Sequence, residues 1–412
     1  MKVAIVGTGI SGNTLAYLLS KHKQISLTIF ESDERIGGHT HTHKIKVNNQ
    51  KINVDTGFIV FNKKTYPLFT KLLKSLKVKI EKSNMSFSVF SPKRKFEYNG
   101  TSLDSLFSQR KNILNFKFLK MLIEILRFNK QSLKILEQNK EMSLGSYLKE
   151  NCYSNYFIHN YILPMGAAIW SSDIKTMLKF PALFFIRFFH NHGMLSVNNR
   201  PHWYTISGGS NNYLKKLTKP FKNNIRLNCK IKTVIRENNK IKIKSNFGKE
   251  TFDYIFFACH SDQALRLLEK PTQNELSILR AIPYKNNEVI LHTDINVMPK
   301  LKKTWAAWNF NIDNTNANPI KLTYYMNSLQ NLNTKTAILV SLNNDEIDKQ
   351  QIIKKIKYSH PHYSLKSIAA QNNIDKISGH NHTYYLGAYW GNGFHEDGVK
   401  SAYNAYEKFM RP

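Results

Sequence analysis

Six residues near the start of the chain, Gly7-Thr8-Gly9-Ile10-Ser11-Gly12, limit its possible folds more than any other feature. They follow an apolar run, Val3-Ala4-Ile5-Val6, that predicts a buried strand over Lys2 to Val6. They lead into a predicted helix over about Asn13 to Lys21. A strand that turns into a helix over three glycines is the phosphate-binding turn of a doubly wound βαβ unit. Gly7 permits the tight turn, Gly9 lets backbone amides approach a pyrophosphate, and Gly12 lets helix and strand pack closely. The helix N-terminus, with Ser11 in its first turn, offers unpaired N–H groups and the positive end of the helix dipole to the phosphates. A second strand, Ser26 to Glu31, ends 19 positions after Gly12 on a carboxylate placed to accept hydrogen bonds from the adenosine ribose. The glycine spacing alone is a weak signal in a chain with 18 glycines. Strand, helix and acidic residue around it make it specific for a dinucleotide, without choosing between NAD and FAD.

The rest of the chain gives a coarse map. From about 101 to 200 the pattern is largely helical. Lys117, Lys120, Glu124, Arg127, Gln131 and Lys134 recur at steps of three and four, predicting one polar stripe of a helix whose other faces carry Phe118, Met121, Leu122, Ile125 and Leu126. Strands are expected at Ile225–Leu227, Lys230–Arg236, Lys240–Ser245 and Tyr254–Ala258. A further sheet region is expected at Glu288–His292, Lys321–Met326 and Thr336–Ser341.

Beyond the glycine turn, Arg35-Ile36-Gly37-Gly38-His39 follows Glu31, and Val54-Asp55-Thr56-Gly57-Phe58-Ile59 reads as a strand entering a turn. Here the sequence resembles the amine oxidase and phytoene desaturase superfamily of flavoproteins, which carries an E-x-x-x-R-x-G-G segment after the second strand. The resemblance implies FAD, with Arg35 against phosphates and ribose and with Gly37 and Gly38 where the chain passes close to the cofactor. It places Gly57, Phe58 and Ile59 toward the isoalloxazine ring and implies a further contact at Val234. It extends through Pro164–Ser171, Asn191–Gly193, Trp203–Thr205, Gly208–Ser210, Tyr325–Gln330 and Gly387–Gly398. These segments look like a bacterial subfamily of predicted NAD/FAD-binding, amine oxidase-like proteins often encoded beside cyclopropane-fatty-acid synthase. Gly387, Ala388, Phe394, His395 and Glu396 match positions that contact flavin in the superfamily. No cysteine lies near that segment, so the FAD is expected to be non-covalent.

The implied fold class is α/β: a two-domain flavoprotein with a Rossmann-type FAD-binding domain and an interleaved substrate domain of sheet plus helical insert. The FAD-binding domain would take residues 1–80, 205–265 and 375–412, and the substrate domain 81–204 and 266–374. The chemistry expected is that of an oxidoreductase acting by hydride transfer to flavin N5, on an apolar or fatty-acyl substrate in the cleft between the domains. A flavin-binding accessory subunit of a lipid-modifying partner and an amine oxidase are the alternatives. His395 is the candidate acid/base, with His190 and His192 behind it. His39, His41 and His43 alternate as in a strand but lack carboxylate or cysteine partners at metal spacing, so no metal is expected.

Charge and cysteine content place the protein. The net charge of +32 admits nucleic acid or anionic lipid as a partner, but the lysines are spread along the chain and no nucleic-acid-binding motif is present. Nucleic acid is therefore not expected, and a small-molecule or lipid substrate is. Three cysteines without CxxC spacing fit reduced thiols in a cytoplasm. The first predicted strand begins at Lys2, without a secretory leader. Asn112–Lys140 and Leu178–Phe189 admit two readings: an apolar arc packed inside the substrate domain with the stripe as its solvated face, or peripheral contact with an anionic membrane. In the second, Lys117, Lys120, Arg127 and Lys134 would supply charge beside the apolar arc, Phe116–Phe128.

Overall fold

In the computed structural model, the described residues are 1–138, 141–196, 200–313 and 320–411. Strand β1 (Lys2–Val6) is the centre of a five-stranded, all-parallel sheet. Strand β2 (Ser26–Phe30) and then Ile225–Arg226 lie on one side of it, and Tyr254–Phe257 and then Thr383–Tyr385 on the other. Its strands thus come from three separated stretches of chain. Both faces are covered, which is why β1 reads as an unbroken apolar run. On one face Val3 and Ile5 pack with Leu15 and Leu19 of helix α1 (Ile10–Leu19) and with Ala402 and Phe409 of the C-terminal helix His395–Met410. On the other, Ala4 and Val6 pack with Ile243 and Phe252 of a three-stranded antiparallel ribbon.

A seven-stranded mixed sheet forms the second body of structure, ordered Ile352–Pro361, Tyr284–His292, Leu339–Leu342, Lys321–Tyr325, Trp308–Asn311, Phe87–Ser91, Phe96–Asn99. The helices between Phe116 and Asn191 share one core with it, in which Phe118, Phe157 and Phe185 meet Val89, Phe310 and Leu322. The stretch Leu178–Phe189, for which the sequence admits packing or a membrane face, belongs to this interior. In helix Ala182–Asn191 the side chains of Phe185, Ile186, Phe188 and Phe189 are buried. The insert expected over Asn112–Lys140 includes two residues, 139 and 140, outside the described ones. No helix among the described residues is long and apolar enough to cross a membrane.

Element boundaries depart from the sequence reading in an instructive way. Helix α1 begins at Ile10 rather than Asn13, because the glycine turn itself forms the first helical turn. The strands Phe87–Ser91, Phe96–Asn99, Trp308–Asn311 and Ile352–Pro361 were not anticipated. Most are short or interrupted by lysine, and they exist because they pair across the sheet.

Candidate active site

The β1–α1 turn gathers most of the residues singled out from sequence. Gly7 adopts φ +103°, and a Cβ there would lie 2.9 Å from the Ala258 carbonyl oxygen at the end of the neighbouring strand. A Cβ at Gly12 would come within 2.0 Å of the Gly7 carbonyl oxygen. Gly9 is different: a Cβ there meets nothing within 4 Å. It is the N-cap of α1, and no side chain caps that helix, so the first amides of α1 are left to face the open space. Thr8 ties this turn to its surroundings. Its N–H donates to Glu31 Oε2 (3.0 Å) and its hydroxyl to the same oxygen, while Gly37 N–H donates to the Thr8 carbonyl (3.1 Å). Glu31 also accepts from the Asp33 N–H (3.0 Å), so the carboxylate anchors the turn. Gly38 lies against Gly9, where a Cβ would be 3.2 Å from the Gly9 Cα. Arg35 donates back to the carbonyls of Gly38 (2.8 Å) and Thr40 (3.4 Å), shaping its own loop. The C-terminal helix closes the group. A Cβ at Gly398 would press on Ile10 Cγ2 (2.6 Å) and Ser11 Oγ (3.0 Å), with Ala388 Cβ beside it at 3.8 Å. Gly387 donates its N–H to Ser401 Oγ (2.9 Å).

Other predicted contacts stand elsewhere. Val234 is buried in the core that the ribbon shares with Val6 of β1, and its carbonyl accepts from the Glu269 N–H (3.1 Å). Gly57 serves a chain crossing, since a Cβ there would meet the His39 carbonyl oxygen at 2.1 Å. Ile59 packs into the large core, and its carbonyl accepts from the Thr205 hydroxyl (2.9 Å). Phe394 stacks on Phe188 at 5.0 Å. The carboxylate of Glu396 caps helix α2 (Pro67–Ser75), accepting from the N–H groups of Leu68 and Phe69 (2.9 Å each).

His395 is a wall residue in this arrangement. Its ring stacks on Phe58 at 3.6 Å, and its Nε2 meets Tyr213 Oη (2.9 Å) and Thr40 Oγ1 (3.2 Å). Burial pushes its pKa down to about 3, leaving the imidazole neutral. With Nε2 engaged by two hydroxyls and the ring covered by Phe58, its geometry is that of a side chain that positions the start of the helix. His192 is similarly engaged, stacked on Phe188 with Nδ1 at 3.0 Å from the Phe188 carbonyl.

A different set of imidazoles meets where the parallel sheet faces the strand Ile352–Pro361. His39 is stacked on Tyr358 (4.9 Å) and lies 5.3 Å from the His360 ring. His260, just beyond the parallel strand Tyr254–Phe257, stacks on Tyr284 at 4.0 Å. Burial first, then mutual repulsion among the three rings, holds His39 well below the usual histidine range. Burial pushes His260 and His360 down to about 4. Asn287 fixes His360, its amide facing Nδ1 at 3.0 Å. His39 Nε2 and Tyr363 Oη are buried and have no hydrogen-bond partner among the described residues. Buried polar atoms are normally paired, so both atoms remain free to take a hydrogen bond from a bound group. His260 had a usable signal, its position outside the carboxyl end of a parallel strand. His360 had none, since only the fold carries it there.

Outside this cluster an open groove of about 500 Å³ is lined by His41, His43, Lys44, Lys46, Ile353 and Lys354, among others. His41 Nδ1 meets Tyr358 Oη at 3.0 Å, so one tyrosine separates the groove from His39. Burial, with Arg35 and Lys354 nearby, lowers His41 to about 3 and His43 to about 4, so both rings are neutral, and the positive charge of the groove is that of Lys44, Lys46 and Lys354.

A glycine turn at the centre of a parallel sheet, an uncapped helix N-terminus and a carboxylate at the second strand define a dinucleotide-binding protein of the doubly wound class. Residues 10–361 match the model of the flavin-containing amine oxidoreductases, and the chain belongs to that family. It is an FAD-dependent oxidoreductase. The fold is similar to that of a candidate protoporphyrinogen oxidase from Exiguobacterium sp. 255-15, with a TM-score of 0.72 at 14% identity, covering 100% of this chain and 99% of that one. It is similar to putrescine oxidase bound to putrescine (TM-score 0.71, 12% identity, 100% of each chain). It is also similar to a fatty acid isomerase from P. acnes that produces CLA (TM-score 0.68, 11% identity, 99% and 98%). No curated protein sequence matches the chain.

The residues present fit an FAD. The open space at Gly9 and the free amides of α1 suit a pyrophosphate. The unpartnered His39 Nε2 and Tyr363 Oη suit a polar ring system or its substrate. Glu31, already fastened to Thr8, retains lone pairs for a ribose.

Proposed function

We propose that the protein dehydrogenates or desaturates an acyl chain carrying an acidic head, with Gly7, Gly9, Ser11, Gly12, Glu31, Gly37 and Gly38 holding the FAD. The observation that carries the substrate class is the electropositive groove beside Tyr358. Its Lys44, Lys46 and Lys354 would repel an ammonium substrate and attract a carboxylate or phosphate. The resemblance to a subfamily encoded beside cyclopropane-fatty-acid synthase points the same way. Bound flavin supplies a hydride acceptor. The chain's own residues exclude water and orient the substrate, with Tyr358, Tyr363 and Phe394 as apolar walls. His39 Nε2 offers a neutral hydrogen-bonding atom inside them. The purified protein is expected to be yellow, with flavin released intact by acid or heat. Under anaerobic conditions, a fatty acid or phospholipid with a saturated CH2–CH2 segment should bleach the flavin as that segment loses two hydrogens, and putrescine should not. Bleaching by the amine alone would reverse the substrate assignment. Lipid mass spectrometry of cells with and without the gene would then identify the acyl product.

A further inference from the structure

Seven of the thirteen exposed large apolar side chains among the described residues fall between Leu103 and Leu133. Leu103 is 76% exposed, Leu114 83%, Phe116 86%, Ile123 66% and Leu126 57%. Isolated apolar side chains on a surface need no explanation, but a run of this kind does. The helix Phe116–Gln131 shows why it is unusual. Its inner face already supplies Phe118, Met121 and Phe128 to the core. The opposite face carries Phe116, Ile123 and Leu126 outward, about 15 Å from first to last at the rise of an α-helix. The helix is therefore apolar on both sides, beyond what packing requires.

Its charges are sorted too. Glu124 points inward, accepting from Ser154 N–H (3.0 Å), and Arg127 lies over the Tyr153 ring at 4.1 Å. Lys117, Lys120 and Lys130 remain exposed among the outward apolar residues, with Lys134 beyond them. Asp104, near the base of the face, is already bridged to Arg110 (2.7 Å) and Lys303 (3.0 Å). The outward face thus combines bulky apolar groups with unopposed lysines.

We infer that this face docks the protein on an anionic phospholipid bilayer. Phe116, Ile123 and Leu126 would enter the acyl boundary and the lysines would lie at the headgroups. A second copy is a poor occupant, because it would bring like-charged faces of a chain with net charge +32 together. Contact is interfacial, since no helix among the described residues is fit to span. The inference needs no particular substrate.

Flotation of the flavin-loaded protein with phosphatidylglycerol vesicles tests it, with phosphatidylcholine vesicles as the neutral comparison. Wild type is expected to float with the anionic vesicles at low salt. The combined variant Leu114→Ser, Phe116→Ser, Ile123→Ser, Leu126→Ser should lose at least tenfold in partitioning while keeping its flavin. The combined variant Lys117→Gln, Lys120→Gln, Lys130→Gln should lose about fivefold per charge. Phe247→Ser, at an exposed apolar residue of the distant ribbon, should change nothing. Failure of wild type to float at low salt overturns the inference. So does equal flotation of the serine variant, or a sedimentation shift showing that the same residues join two copies without lipid. Flavin bleaching by free acyl substrate is read separately, so a failed substrate assignment and a failed docking face are distinguishable.

Discussion

A side chain at Gly9 would touch nothing of the protein itself, whereas one at Gly12 would strike the Gly7 carbonyl. The two glycines therefore answer to different constraints, and two variants separate them. Gly9 has φ −63° and ψ −179°, a conformation open to any residue. Gly9→Val should leave a folded protein, with a melting temperature close to that of the flavin-free wild type, that no longer retains FAD. Gly12→Ala should instead cost several kcal/mol of stability, of the order seen for overpacked interiors, about 1–3 or more. Absorbance of retained flavin and thermal melts of both proteins check this. Equal flavin content in Gly9→Val and wild type would remove the pyrophosphate assignment. The glycine turn was legible in sequence because its geometry is local. His395 was not, since its role is decided by Phe58, Tyr213 and Thr40, which the fold brings from far along the chain.

At the scale of elements, the periodic stripe Lys117, Lys120, Glu124, Arg127, Gln131 and Lys134 predicts one helix, whereas the structure has Phe116–Gln131 and, after a turn at Ser132, Leu133–Gln138, so Lys134 lies on the second helix. Periodicity marks polar residues without saying which of them find partners. Glu124 found Ser154 and turned inward, and the exposed surface is shared by Lys117, Lys120 and Lys130 with Phe116, Ile123 and Leu126. The parallel strands were legible for the opposite reason: burial on both faces forces continuous apolar runs, as in Tyr254–Phe257. Strand Ile352–Pro361, with Lys354, Lys355 and Lys357, lies at the edge of its sheet and carries no such run. Glu396 illustrates how two elements depend on one side chain. From the first turn of the C-terminal helix its carboxylate caps the amides of α2 at Leu68 and Phe69. Glu396→Ala is expected to cost about 1–2 kcal/mol, the usual loss for a helix cap. Flavin content should stay near that of wild type. Urea unfolding with parallel absorbance measurement tests it. Loss of flavin at unchanged stability would return Glu396 to the cofactor.

For the whole molecule, the consequence of these burials is a one-sided dependence on acidity. The imidazoles of His39, His41, His43, His192, His260, His292, His360 and His395 all have pKa values lowered by burial, to about 3 or 4 where a value is defined. In the unfolded chain each titrates near 6.5. Below that pH the unfolded state binds protons that the native state refuses. The stability these groups contribute is thus present above pH 6.5 and lost as pH falls toward 4. Asp55 and Asp397 act in the opposite sense. Burial raises both to about 6, so their contribution is present below pH 3.8 and lost as pH rises to about 6. His362 is lowered by burial as well and Glu396 raised by it, so nine imidazoles oppose three carboxyls, and histidine protonation also adds to a net charge that is already +32. The melting temperature of the flavin-loaded protein should be level above pH 7 and fall by roughly 10 °C or more between pH 6.5 and 4.5. Added salt separates the two causes. Screening of surface repulsion would recover part of the loss, but protonation of buried rings is little affected by ionic strength. A melting temperature that peaks near pH 5 would mean the carboxyls dominate. A fall abolished entirely by half-molar salt would mean that repulsion alone drives it, and the buried imidazoles would then have no measurable share in acid stability.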